Sequence, residues 1–163
     1  VSGNYDTIIA GMSITDERDE VIDFTEAYFP PDPSSFVAMS DAFDGTGVIA
    51  AQTGTIQASH VASMDGAQLV EFATPDETIA AVKNGEADAV LADKSFLEPI
   101  VAEDSDLMFA GDDVMLGGGI GLGVRESDTE LKDKLNAAIA ELKADGTVNE
   151  LISKWFDGME GPY

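Results

Sequence analysis

The sequence predicts an α/β protein, and three observations lead to that class. Short apolar runs with the length of buried strands alternate with helical patterns along most of the chain. One helical pattern, TPDETIAAVKNG, lies between the runs AQLVEFA and ADAVLAD, which is the order of a parallel βαβ unit. Two further helical patterns close the chain with Gly146 between them, and we expect them to form a helical hairpin.

The first half of the chain predicts several short strands. Residues 5–13 form a mostly apolar run typical of a buried strand, and Thr15 is a suitable N-cap for a short turn after it. The prolines of PPDPSS interrupt any helix or central strand. SFVAMS, VIAAQ and AQLVEFA are strand candidates, and TGTIQASHVASM has helical character.

The second half carries the clearest helix signals. Thr74 and Glu77 are spaced for a capping box, with Pro75 at the first helical position between them. Gly85 then ends the helix. The following run, residues 87–93, is typical of a strand buried on both faces.

The remaining elements follow from weaker patterns. Residues 95–103 predict a short helix, LMFAG a strand, and residues 117–124 (GGGIGLGV) a glycine-rich strand. Its glycines suggest either the close approach of another backbone segment or a flexible crossing between lobes. In the last helix, TVNELISKWFDG, Thr147 and Glu150 are spaced for a second capping box. Its Trp155 is expected in the core.

The net charge excludes one class of partner. The 163 residues contain 8 Lys and Arg against 32 Asp and Glu, which gives a formal net charge of −24. Nucleic-acid affinity comes largely from cations that displace counterions, so nucleic acid is not an expected partner. The chain has no cysteine, which removes disulfides and thiolate chemistry. No apolar run reaches the ~18 residues of a membrane span, and we expect no membrane insertion.

Catalytic and cofactor-binding interpretations fail on spacing. GGGIGLG does not fit GxGxxG, because the sixth position counted from Gly117 is Leu122, and VRESD separates the glycines from the next helix. His60 is the single histidine and belongs to no HExxH-type pattern, so neither a zinc site nor a Ser-His-Asp triad is expected. We therefore expect a protein that is not an enzyme and that holds no metal or cofactor.

One constellation of candidate residues remains. Arg18 offers a guanidinium that matches a carboxylate bidentately. Residues 54–57 (GTIQ) would present N–H groups and the positive end of a helix dipole to an anion. Asp93 ends a predicted parallel strand, where open α/β sheets bind ligands. Together these describe a receptor for a zwitterion, and a surface pairing of Arg18 with Asp16 or Asp19 is the open alternative.

Six motifs resemble those of a known family, in the same order and across nearly the whole chain. They are AGMSITDER, VIDFTEAY, QTGTIQ, NGEADAVLAD, GIGLGVR and LKADGTVNELISKWF. The chain is thereby similar to the periplasmic polar amino-acid-binding proteins of ABC importers, bacterial solute-binding protein family 3, which bind Lys/Arg/ornithine, His, Gln or opines. The resemblance implies a periplasmic protein that captures a free amino acid and delivers it to the transmembrane subunits of an ABC permease.

The resemblance also implies a periplasmic-binding-protein-like fold, in which two α/β lobes are joined by two crossing strands that close on the ligand like a hinge. The hinge strands would be residues 35–40 and 119–124. Lobe 1 would comprise residues 1–34 and 125–163, and lobe 2 residues 41–118. Members of the family begin with a strand, a helix and a strand that this chain lacks. Lobe 1 is therefore expected to be incomplete, with apolar faces that are exposed or covered by another chain.

Ligand-binding roles are implied for seven positions: Gly11, Ser13, Arg18, Thr55, Ile56, Gln57 and Asp93. Arg18 would clamp the α-carboxylate of the ligand, and Asp93 would bind the α-ammonium, with Gly11 offering its carbonyl. Ser13 and the backbone N–H groups of Thr55 and Ile56 would assist Arg18. Gln57 would line the same cleft.

The resemblance leaves the choice of amino acid open. The missing first part of lobe 1 carries the side-chain-selecting residues in the family, and the net charge makes lysine or arginine only a weak favourite. Two other functions on the same scaffold are the alternatives, namely a dehydratase acting on prephenate-like acids and a ligand-sensing module of a receptor.

Overall fold

The computed structural model of the chain describes residues 3–156 and 159–163. These residues form two compact units. Unit 1 lies within Val1–Pro31 and Gly117–Tyr163, and unit 2 is Asp32–Leu116. Most of SFVAMS lies in a sheet of unit 2, and the end of GIGLGV lies in a sheet of unit 1. The hinge role of these two strands, and the lobe boundaries drawn from it, stay predictions.

Eight strands and six helices follow one another along the described residues, and the predicted α/β class is confirmed. Their order is β1 (Thr7–Ile8), α1 (Asp16–Asp19), β2 (Asp23–Phe24), β3 (Ser34–Ala38), β4 (Gly47–Gln52), α2 (Ile56–Ser63), β5 (Ala67–Phe72), α3 (Pro75–Lys83), β6 (Ala89–Asp93), α4 (Lys94–Glu103), β7 (Met108–Val114), β8 (Gly123–Val124), α5 (Thr129–Ala144) and α6 (Thr147–Trp155).

Unit 2 is built on a five-stranded sheet in the order β5-β4-β6-β3-β7. β4 pairs in parallel with both β5 and β6, whereas β3 pairs antiparallel with β6 and β7. The strands that flank α3 are therefore parallel, as predicted, but β4 lies between them. The carboxyl ends of β4 and β6 consequently lie side by side at one edge of the sheet.

Helices cover both faces of this sheet, which explains why its strands are almost continuously apolar. Successive side chains along a strand point to opposite faces, so neighbouring residues join different clusters. One cluster packs against α3 and α4, and the other packs against α2. Their strand residues are Val37, Ala50 and Val90 in the first cluster and Phe36, Ile49 and Leu91 in the second.

Helix α3 begins as its local sequence predicts. The Thr74 hydroxyl accepts the N–H of Glu77 at 3.4 Å, and the Glu77 carboxylate accepts the N–H of Thr74 at 2.9 Å. The predicted capping box is therefore confirmed. Pro75 occupies the first helical position, and Gly85, with a φ of +75°, follows the helix in the left-handed conformation that glycine adopts without strain.

Unit 1 contains a three-stranded antiparallel sheet in the order β1-β8-β2, in which each strand is two residues long. The glycine-rich stretch forms a strand only at its end, at Gly123–Val124. Its close backbone approach is confirmed at Gly119, where a Cβ atom would lie 2.7 Å from the carbonyl oxygen of Phe29. Phe29 is buried, and the centroid of its ring lies 4.6 Å from the ring centroid of Phe156.

Two expectations about apolar residues in unit 1 are wrong. Of residues 5–13, only two form a regular strand, and Tyr5 and Ile9 are 81% and 71% exposed. Trp155 is 70% exposed and does not belong to the core. Among the described residues, a sheet of three two-residue strands offers too little apolar surface to cover these side chains. Exposed apolar faces are what the family resemblance implies for an incomplete lobe 1.

The capping box predicted at the start of α6 is also wrong. Gly146, with a φ of +85°, is the N-cap, so Thr147 is already the first helical residue and lies one position too late to cap. The N–H of Thr147 instead donates to the carboxylate of Asp145 at 2.9 Å. The end of the predicted pattern, Asp157 and Gly158, lies outside the described residues.

Candidate functional site

The segment before α1 orients Arg18. Thr15 is the N-cap of α1, as predicted, and its hydroxyl accepts the N–H of Arg18 at 3.3 Å. The partly buried guanidinium donates through Nη1 to the carbonyl of Ser13 at 2.9 Å. Ser13 is itself fixed by an antiparallel bridge to Ile120. Two of the predicted residues therefore lie together in unit 1, and the exposed Gly11 precedes them on the same segment.

The turn between β4 and α2 presents a helix N-terminus. Thr55 is its N-cap, with a hydroxyl that accepts the N–H of Ala58 at 3.2 Å and donates to the carbonyl of Gln52 at 2.7 Å. The N–H of Thr55 also donates to that carbonyl, at 3.3 Å. Within the part of the chain that the structure describes, the N–H groups of Ile56 and Gln57 have no acceptor. These two groups, rather than that of Thr55, are therefore available to an anion.

Gln57 connects α2 to the end of β6. This residue is 6% exposed, and its Nε2 donates to Oδ1 of Asp93 at 2.6 Å and to Oγ of Ser34 at 3.0 Å. Ser34 lies directly opposite Asp93 in the pairing of β3 with β6 and is buried. We call these three residues the Asp93 group. It lies at the carboxyl end of a parallel strand, the position where open α/β sheets bind ligands.

Asp93 carries a negative charge that its surroundings penalise. Burial raises the pKa of Asp93, the negative charge of Asp32 raises it further, and the hydrogen bond from Gln57 opposes both. No cation among the described residues forms a salt bridge with Asp93. Lys94, its neighbour in sequence, pairs with Asp113 at 2.7 Å. An ammonium group placed against Asp93 would offset the cost of burying this charge.

Asp32 leaves the Asp93 side chain available by capping α4 in its place. Asp93 occupies the N-cap position of α4 but makes no side-chain capping bond. The Oδ2 atom of Asp32 accepts the hydroxyl of Ser95 at 2.6 Å and the N–H of Ser95 at 3.2 Å. The carboxylate of Asp32 therefore caps the first turn of the helix, and that of Asp93 remains hydrogen-bonded to Gln57.

The structure brings some of the predicted residues together and separates others. Gln57 and Asp93 are in direct contact, and Arg18 contacts Ser13. Arg18 belongs to unit 1 and Asp93 to unit 2. Their use by one ligand stays a prediction, as do the ligand-binding roles of all seven residues.

Sequence reasoning missed Ser34 and Asp32. Both lie in PPDPSS, a stretch whose prolines predict only an interruption of regular structure. Neither residue type in such a stretch signals a partner elsewhere in the chain. Only the pairing of β3 with β6 brings Ser34 opposite Asp93.

Residues 3–156 and 159–163 contain neither a candidate metal-ion cluster nor a candidate membrane-spanning helix. Those residues contain no group of three or more His, Asp or Glu side chains placed to hold a metal ion. None of the helices there combines the length and the apolar character that crossing a bilayer requires.

Comparison with known proteins identifies the relatives of this chain. A profile of the family described as bacterial extracellular solute-binding proteins, family 3, matches residues 1–158. The histidine-binding periplasmic protein of Salmonella typhimurium is 31% identical over 170 residues, which cover 93% of this chain. The arginine-binding periplasmic protein of Mannheimia haemolytica is 29% identical over 160 residues, which cover 94% of this chain and 67% of that protein. The chain spans 65% of the length of the Salmonella relative.

Solved structures agree with the fold. A periplasmic His/Glu/Gln/Arg/opine family-binding protein from Silicibacter pomeroyi, in complex with lysine, is 64% identical with a TM-score of 0.93. That match covers 99% of this chain and 74% of the other. An ancestral arginine-binding protein bound to arginine is 29% identical with a TM-score of 0.83, over 95% of this chain and 73% of the other. The predicted fold is thereby confirmed.

Proposed function

Because the chain belongs to the bacterial extracellular solute-binding proteins, family 3, we propose that it captures a free amino acid and delivers it to the transmembrane subunits of an ABC permease. Members of this family are solute-binding proteins, and we propose no catalytic reaction for this chain. The proposed location is the periplasm, which the names of both curated relatives include.

The observation that carries this proposal is the partly buried carboxylate of Asp93. Its raised pKa and the absence of a salt bridge to any described cation mean that the folded chain is charged here at a cost. An α-ammonium group supplies the missing cation and a charge-assisted hydrogen bond. The site is therefore best matched by a ligand that brings its own positive charge.

Arg18 provides the opposite recognition element in this proposal. Its guanidinium binds the α-carboxylate, with the N–H of Ile56 as a further donor. A hydrogen bond to a charged group is worth about 1.5–3 kcal/mol net. A few of them at the two ends of a zwitterion would supply much of the ~8 kcal/mol that micromolar affinity requires.

Lysine is the first ligand to test. The Silicibacter pomeroyi protein, with 64% identity, is in complex with lysine. The net charge of −24 favours encounters with cations over encounters with anions. We therefore propose a cationic amino acid as the ligand class.

Isothermal titration calorimetry tests the proposal on the protein encoded by the complete reading frame that contains this chain. Lysine, arginine, histidine and glutamine are titrated in turn, with glucose as the control solute. We expect one-to-one binding of at least one amino acid, with lysine or arginine tightest, and no heat from glucose. Absence of binding by all amino acids would refute the proposed function.

A further inference from the structure

The Gln57 amide has no N–H group left for a ligand. A glutamine side chain carries two N–H donors on one nitrogen. One of them reaches Oδ1 of Asp93 at 2.6 Å, and the other reaches Oγ of Ser34 at 3.0 Å. Gln57 is only 6% exposed, and both contacts lie inside unit 2. The expectation that Gln57 lines the ligand cleft therefore needs a different account.

We propose that Gln57 is a positioning residue: it fixes the Asp93 carboxylate so that Oδ2, the oxygen it does not bind, receives the ammonium group of the ligand. This inference rests on the proposed function. It assigns Ser34 the role of holding the Gln57 amide, since the Ser34 hydroxyl is the second acceptor of that amide. The orientation of one carboxylate is thus set jointly by α2, β3 and β6.

Two features of the group support this role. The contact from Gln57 to Asp93 is a short hydrogen bond to a charged acceptor, the kind that restricts orientation most strongly. Without it, the carboxylate could rotate about its last torsion angle, and binding would lose the benefit of a preformed acceptor. The same hydrogen bond lowers the pKa of Asp93 against the effects of burial and of Asp32, so it also favours the ionised form that an ammonium requires.

Calorimetry with L-lysine on the complete protein tests the role through a double-mutant cycle of Gln57→Met, Asp93→Asn and their combination. Methionine keeps the length of the side chain and removes the amide. Gln52→Met is the matched control, because the Gln52 amide also donates a hydrogen bond, in its case at 3.1 Å to the carbonyl of Ala73 and not to Asp93.

We expect Gln57→Met to weaken lysine binding about tenfold, the equivalent of about one hydrogen bond, and Gln52→Met to change it by less than about twofold. In the Asp93→Asn background, Gln57→Met should cause no further loss, because the carboxylate that it positions is gone. An unchanged affinity in Gln57→Met, or an equal loss in both backgrounds, would overturn the inference. The second result would mean a direct ligand contact or a general loss of structure.

The cycle also separates this inference from the function on which it rests. If Asp93→Asn alone leaves lysine affinity unchanged, the proposed binding role of Asp93 is refuted, and the positioning role of Gln57 is refuted with it. If Gln57→Met does not fold, Ser34→Ala replaces it, because it removes the other acceptor of the Gln57 amide. We then expect a smaller loss, about threefold, that again disappears in the Asp93→Asn background, and a loss that persists there would overturn the inference.

Discussion

Replacing Asp93 by asparagine removes the negative charge from the Asp93 group and keeps its shape. Asparagine can still accept the amide of Gln57 through its oxygen, which turns its own NH₂ toward the position of the ligand ammonium. The asparagine NH₂ and the ligand ammonium group are both hydrogen-bond donors and then face each other. In the parent protein the ammonium group faces a carboxylate. The lost charged hydrogen bond is worth about 1.5–3 kcal/mol, so we expect lysine affinity to fall about 10- to 150-fold. Partial burial limits screening by water and favours the upper part of that range.

The assay is calorimetry with lysine at neutral pH, and Asp112→Asn is the matched control. Asp112 lies exposed on β7 in the same unit, and its replacement changes the net charge by the same amount. The two variants therefore share any long-range effect of charge on ligand encounter. An equal loss in both variants, or no loss in Asp93→Asn, would refute the assignment of Asp93 to the ammonium group.

The same substitution has an opposite effect on the unligated fold. The pKa of Asp93 is raised above its ordinary value of 3.8, so between that value and the raised pKa the folded chain holds more protons than the unfolded chain. Stability then falls as pH rises through this window. Asp93→Asn removes that penalty, and we expect unligated Asp93→Asn to melt no lower than the parent at neutral pH. A clearly lower melting temperature by calorimetry would show that the charge of Asp93 stabilises the fold.

Three further predictions concern recognition, packing and charge. Arg18→Ala should weaken lysine, arginine and histidine by a similar factor of about 10- to 150-fold, because all three share the α-carboxylate, and unequal losses in calorimetry would contradict this. Leu97→Ala should lower the free energy of unfolding by about 2–5 kcal/mol, since Leu97 is 0% exposed. Urea unfolding measures that loss against Leu142→Ala, whose leucine is 42% exposed, and equal losses would be inconsistent with the described core. Added sodium chloride should raise the melting temperature by screening repulsion within a net charge of −24, and a flat salt series would count against that repulsion.

Local signals in the sequence predicted their elements correctly where the interacting groups are near neighbours in the chain. The Thr74 capping box and the Thr15 cap depend on residues three positions away, so the sequence alone contains the whole interaction. The strands of unit 2 were equally predictable from the sequence, because a sheet covered on both faces requires continuous apolar runs. The order of the motifs along the chain also indicated the family.

The exposure of apolar side chains in unit 1 could not be predicted from the sequence in the same way. The apolar run at residues 5–13 and the helical pattern around Trp155 both predict buried side chains, yet Tyr5, Ile9 and Trp155 are largely exposed. The apolar periodicity of a segment predicts which of its side chains can pack into a core. It does not predict whether enough surrounding structure exists to cover them. Burial depends on the whole sheet, which has only three short strands among the described residues of unit 1.

The sequence by itself determined the α/β class, most elements of unit 2, the family and the residue types able to recognise a zwitterion. Only the tertiary structure decided that Gln57 joins Asp93 to Ser34 and that Asp32 caps α4 in place of Asp93. The physical reason is that these contacts depend on the register between β3 and β6. That register is set by packing summed over both strands and both faces of the sheet, and no stretch of neighbouring residues encodes it.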